Sequence, residues 1–197
     1  MKTLLQAGAR VQQLLEQRGW RFCFIGGLAN FRWGTPRLTD DLDLTLLTGF
    51  GAEASFAQAL LAEFESRIPD AAAFAEQNRV LLLRTDDGFG LDIALGAMPF
   101  EERSIVRSTQ IELVPGAVLR TCSAEDLVVH KAFAARPQDW VDVEGVILKQ
   151  RGVLVWPQIW SELSDLAALK EAPELLDELA RIARRAEKVI GPFAHGR

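Results

Sequence analysis

The sequence predicts an α/β protein of the α+β kind, a mixed sheet with flanking helices followed by a helical C-terminal region. Three observations predict it. The apolar stretch "RFCFI" is of strand length and runs into Gly26-Gly27, while "DLDLTLL" alternates with period two. The stretches "RVLLLRT" and "FGLDIALG" flank Asp86-Asp87-Gly88, a hairpin turn. From Ser123 onward the pattern changes to helical spacing. A boundary is therefore expected near residue 122, with a mixed half over 1–122 and an all-helical half over 123–197.

In chain order, Leu4, Ala7, Val11 and Leu14 recur at helical spacing until "RGW" stops them. After the glycine pair, "LANFRWG" reads as a short helix broken by Thr35-Pro36. In "DLDLTLL", Asp41, Asp43 and Thr45 fall on one strand face and Leu42, Leu44 and Leu46 on the other. "AEASFAQALLAEFES" reads as an amphipathic helix. In "FGLDIALG", Asp92 stands alone, with Leu91, Ile93 and Leu95 directed oppositely. "SIVRST", "IELV" and "AVLRT" read as short strands or sheet extensions. Ser123 and Asp126 form a capping box, and three further helices follow, each with a proline near its start.

Composition narrows the function. Almost half of the 197 residues are apolar and a quarter are charged, which is globular rather than disordered. A net charge of -5 argues against a broad nucleic-acid coat while leaving room for a local basic groove. Cys23 and Cys122 have no zinc or disulfide spacing, so a reducing cytoplasm is the expected setting. The first twenty residues interrupt their apolar positions with Gln, Arg and Glu, and no apolar run is long enough to cross a bilayer. His130 and His195 are the only histidines, too few for a histidine-rich centre. A metal, if held, is held by oxygen.

The acids raise the sharpest question. Asp40, Asp41 and Asp43 crowd four residues of an otherwise buried strand, and carboxylates are costly to remove from water unless a cation or donor compensates them. Something positive is expected nearby. Residues i and i+2 of a strand point the same way, roughly 6.6 Å apart, so Asp41 and Asp43 can share an ion. Two carboxylates about 4 Å apart repel by roughly 4 kcal/mol at an effective dielectric near 20. With Asp92 from a neighbouring strand, the trio suits Mg²⁺ or Mn²⁺ clamping the oxygens of a phosphoryl or nucleotidyl transfer. Gly26 and Gly27 would let the backbone approach phosphate oxygens, with Arg37 and Thr39 in the linking loop. The parity of Asp40 sets it apart from that face.

An apolar strand, Gly26-Gly27, a short helix, then Arg37-x-Thr39-x-Asp41-x-Asp43 resembles the signature of the nucleotidyltransferase fold of the DNA polymerase beta superfamily, with Asp92 matching the later third acid. Further on, Lys131 followed by Arg136-x-x-Asp139-x-x-Asp142 resembles the helical segment of the abortive-infection nucleotidyltransferase-like toxins and their minimal relatives, with Gln138 standing where such proteins often carry Lys. The resemblance covers roughly residues 20 to 150. It implies a metal-bound NTP, Asp41, Asp43 and Asp92 as catalytic metal ligands, and Gly26, Gly27, Arg37, Thr39 and Lys131 as nucleotide-binding residues. It also implies transfer of a nucleoside monophosphate to a hydroxyl of RNA (a tRNA 3′ end) or protein, or of a small molecule such as an antibiotic. An antitoxin partner is implied as well. The competing class is a catalytically silent nucleotide-binding or regulatory subunit, which the intact trio argues against.

Plainer readings stand beside these. The acid face could be a solvated edge. Lys131 reads equally as a snorkelling surface lysine, and Asp139 and Asp142 as acids favoured by a helix N-terminus. Arg181, Arg184, Arg185 and Lys188, interspersed with acids, read as a solvated helix face. Trp156 and Trp160 read as packing residues rather than a stacking platform.

Overall fold

The structure, a computed structural model, describes residues 2–193. Helix α1 (Lys2–Gln17) buries Leu4, Leu5, Val11 and Leu15, and a turn at Gly19 leads into β1 (Phe22–Phe24). Helix α2 (Gly26–Trp33) starts at the glycine pair, and β2 (Asp41–Leu47) follows the Thr35-Pro36 break. Then come α3 (Glu53–Leu61), β3 (Glu65–Ser66), α4 (Ala71–Asn78), β4 (Val80–Arg84), β5 (Gly90–Gly96), α5 (Pro99–Arg107), β6 (Thr109–Val114) and β7 (Ala117–Thr121). Four helices complete the described chain: α6 (Ala124–Ala134), α7 (Pro137–Gln150), α8 (Trp156–Lys170) and α9 (Glu174–Ile190).

The strands form one mixed sheet in the order β3-β4-β5-β2-β1-β7-β6, with β2–β5 and β1–β7 parallel and the other neighbours antiparallel. This is the expected mixed sheet with flanking helices. Its core follows from the alternation. Leu42, Leu44 and Leu46 of β2, Leu81 and Leu83 of β4, and Leu91, Ile93 and Leu95 of β5 are all buried, in one cluster with the apolar stripe of α1. Each such side chain contributes roughly 1.5–3 kcal/mol of burial, which fixes the register. A one-residue slip would bury the aspartates instead.

Contacts divide the described residues into two compact units: one runs up to Leu28 and includes Leu38–Cys122, the other joins Ala29–Arg37 to the residues from Ser123 onward. The chain passes between them inside α2. In the second unit Trp156 and Trp160 are buried, with ring centroids 5.7 Å apart, as packing residues should be. Ser123 caps α6, its hydroxyl accepting from Asp126 N–H at 3.1 Å. On α9, Arg181 is paired with Glu178, and Arg185 with Glu144.

Two segments differ from expectation. "SIVRST" is mostly helix: α5 opens at Pro99, Glu101 accepts from the N–H groups of Ala97 (2.8 Å) and Met98 (2.9 Å), and Phe100, Ser104 and Ile105 are its buried face. The start signal outweighs the local β-propensity of Ile105-Val106. The helix read over "AEASFAQALLAEFES" ends at Leu61, and its last residues become the edge strand β3, paired with Leu83 and Arg84 of β4. Tertiary pairing decides a strand of two residues; local propensity does not.

Candidate active site

Strands β2 and β5 place the acids. In their parallel register Asp43 lies opposite Asp92, and Asp41 opposite Gly90. The leucines on the buried face turn all three aspartates to the other face, and Asp43 and Asp92 are half-buried. Desolvation raises the Asp92 carboxyl above the ordinary aspartate range; nearby Asp43 and Asp41 push it further up, against the pull of Arg67. Asp92 therefore feels both of the other carboxylates. Asp40 is exposed and lines an open cavity beside Asp41.

The glycine pair abuts the acids. Gly26 has φ +54°, and a Cβ there would overlap the Asp43 carboxylate, so only glycine fits at no cost. The Gly27 N–H donates to Asp43 Oδ2 at 3.3 Å, and a Cβ at Gly27 would sit 2.8 Å from Thr39 Cγ2. The Thr39 hydroxyl accepts from Asp41 N–H at 3.4 Å, which holds the loop at the start of β2. Gly26, Gly27, Thr39, Asp41, Asp43 and Asp92 are thus brought together in the sheet-bearing unit.

Arg37 and Lys131 meet elsewhere, in the helical unit. Lys131 Nζ lies 2.8 Å from both Asp139 Oδ1 and Asp142 Oδ2. The Arg37 guanidinium donates to Asp142 through Nε (3.2 Å) and Nη2 (3.3 Å). Gln138 donates to Asp142 at 3.2 Å, and Arg136 Nε to Asp139 at 2.7 Å. Lys131 is only 5% exposed, so it does not snorkel, and Asp139 and Asp142 are buried as well. Burial opposes ionisation of both acids. Hydrogen bonds from Arg136 and Lys131 on Asp139, and from Lys131 and Arg37 on Asp142, outweigh it and hold both carboxyls below the usual range.

One residue of the site escaped sequence reasoning. Arg67, just past β3, places one guanidinium nitrogen on Asp92 Oδ1 and the other 3.8 Å from Asp41 Oδ1. The acid cluster itself was the signal, since it called for something positive nearby; what hid Arg67 was the edge strand just before it, where the sequence predicts helix.

The donor chemistry fits a hard divalent cation: oxygen ligands only, on adjacent strands, with two like charges acting on Asp92. Among the described residues no three ligating side chains already converge as a metal cluster. His130 lies on α6, and His195 lies outside the described residues.

A mixed sheet carrying in-register acids on parallel strands, beside a glycine turn that opens a helix, defines a nucleotidyltransferase-like protein. Solved structures share the fold. An antigenic nucleotidyltransferase-like protein from Paracoccidioides brasiliensis matches with TM-score 0.54 at 16% identity, over 90% of this chain and 92% of its own. The antibiotic-resistance factor ANT(2″)-Ia matches with TM-score 0.58 at 15% identity, over 88% of this chain and 96% of its own. No curated protein sequence matches. The family described as nucleotidyl transferase AbiEii toxin, type IV toxin–antitoxin system, matches residues 14–148, more than half of the chain, and the chain belongs to that family. It is a nucleotidyltransferase. Among the described residues no helix is long and apolar enough to cross a membrane.

Proposed function

We propose that this chain moves a nucleoside monophosphate from an NTP to an acceptor hydroxyl, releasing pyrophosphate, with Mg²⁺ or Mn²⁺ held by Asp41, Asp43 and Asp92. The observation that carries the reading is the pairing of Asp43 with Asp92 across β2 and β5, next to the Gly26-Gly27 backbone. A divalent cation bound there supplies charge neutralisation at the phosphoryl group. The protein's part is positioning. Gly26 and Gly27 leave room for the Asp43 carboxylate and Thr39 against the turn whose backbone is proposed to approach the phosphate, Thr39 fixes the loop, and Asp92 accepts the proton of the acceptor hydroxyl at a carboxylate oxygen. Arg37 and Lys131 are proposed as further phosphate contacts; both are held by Asp142, so a phosphate would exchange with that carboxylate.

We place the acceptor in RNA, at a 3′ end such as that of tRNA, or on a protein hydroxyl, and the activity in a toxin countered by an antitoxin in the cytoplasm. Membership of a toxin family supports this over an antibiotic acceptor, for which only a shared fold speaks. Pyrophosphate release by the parent chain with each NTP and Mg²⁺ tests the chemistry. The Asp41→Asn, Asp43→Asn variant should lose at least about a hundredfold, in keeping with removal of preorganised charge; unchanged release would sink the assignment. Sequencing of RNA termini after expression tests the acceptor, because extended 3′ ends support RNA and unextended ends with a labelled small molecule refute it.

A further inference from the structure

We propose that Arg67 is the resident counter-cation of the acid face, which a divalent cation must displace, so that this one side chain sets the metal affinity of the site. The inference rests on the metal-dependent reading above.

The guanidinium spans two strands. One terminal nitrogen pairs with Asp92 on β5 and the other faces Asp41 on β2. Its backbone is anchored, with Arg67 N–H donating to Leu82 O on β4 at 3.0 Å, whereas the guanidinium is held mainly by the acids. Arg67 Nε is buried and has no hydrogen-bond partner among the described residues. Gly90 makes the arrangement possible, because a Cβ there would stand 3.1 Å from an Arg67 terminal nitrogen and would overlap the Asp41 carboxylate. With Arg67 in place, two of the three carboxylates are committed to a cation the chain itself supplies.

A guanidinium and a divalent ion cannot both take those oxygens at full strength. Binding of the ion therefore costs the Arg67 pairs, and the side chain needs somewhere to go. An open cavity of about 370 Å³ adjoins it, and its lining includes Arg84 together with the acids Asp40, Asp41 and Asp87. The Arg67 side chain is 25% exposed and already lines that cavity, so its long stem has room to swing into it. Arg67 acts through the carboxylates, as a positioning residue.

The test is Mn²⁺ titration of the full chain without nucleotide, read by the resonance of free Mn²⁺. Removing the competing charge in Arg67→Gln should tighten Mn²⁺ binding by about tenfold or more, and Arg67→Lys, which keeps the charge without the two-nitrogen fork, should fall between Arg67→Gln and the parent. An Arg67→Gln affinity equal to or weaker than the parent's, in a variant whose circular dichroism is unchanged, overturns the proposal. Should Arg67→Gln not fold, the parent decides: the Arg67 Nε–H resonance, identified by its loss in Arg67→Lys, must move when Mg²⁺ saturates the site, and a stationary resonance overturns the proposal. The two readings fail separately. Binding that Asp41→Asn, Asp43→Asn abolishes and Arg67→Gln leaves unchanged removes only the Arg67 role, whereas no binding by any chain removes both.

Discussion

At the scale of single residues, Gly26 shows how backbone freedom is spent on a site. Its φ of +54° and the carboxylate of Asp43 occupying the place of a side chain exclude every residue with a Cβ. Gly26→Ala should lose about 1–2 kcal/mol from the left-handed backbone alone, with more from the overlap, measured as the shift of a urea unfolding midpoint. The functional loss should be larger. A nucleotide at about 100 times its dissociation constant stabilises a fold by roughly 2.7 kcal/mol; that Mg²⁺-dependent gain should vanish in Gly26→Ala, and a retained gain would separate the turn from phosphate binding. Asp41, Asp43 and Asp92 were legible because period-two alternation states which face each residue takes. Arg67 was not, because its position depends on a strand pairing that no local pattern encodes.

At the scale of elements, α6 and α7 are joined by a buried charge network rather than by apolar packing alone. Lys131 of α6 sits between Asp139 and Asp142 of α7, and the three are nearly inaccessible to water. Removing Lys131 takes away the cation the two buried carboxylates share, leaving Asp139 to Arg136 and Asp142 to Arg37 and Gln138. Lys131→Met should therefore cost about 1.5–3 kcal/mol in urea unfolding, whereas a solvated lysine would cost less than about 0.5 kcal/mol. A small loss would return Lys131 to the surface. The spacing Lys131, Asp139, Asp142 could be read from the sequence, but its burial could not. Helical acids near an N-terminus look alike whether they face solvent or a lysine. The same limit explains α5 and β3: capping chemistry was visible at Pro99 and Glu101 yet competed with a β-branched pair, and Glu65-Ser66 carries no strand signal of its own.

At the scale of the whole molecule, the acid balance that gives a net charge of -5 makes pH the natural probe of which carboxylates the fold depends on. Asp139 and Asp142 have carboxyls depressed in the folded state: burial works against their ionisation, and the donors around them prevail. The unfolded chain thus binds their protons more readily than the folded one, and the stability they contribute is fully present above the ordinary aspartate range, near pH 4. It drains away as pH falls through their depressed values. The urea midpoint of the parent should therefore drop between pH 5 and pH 3 more steeply than that of a Lys131→Met, Asp139→Asn, Asp142→Asn variant, whose two amides cannot titrate. Parallel slopes would show that acid unfolding is governed by other carboxylates, and that the network holds the helices together without storing the pH dependence its burial implies.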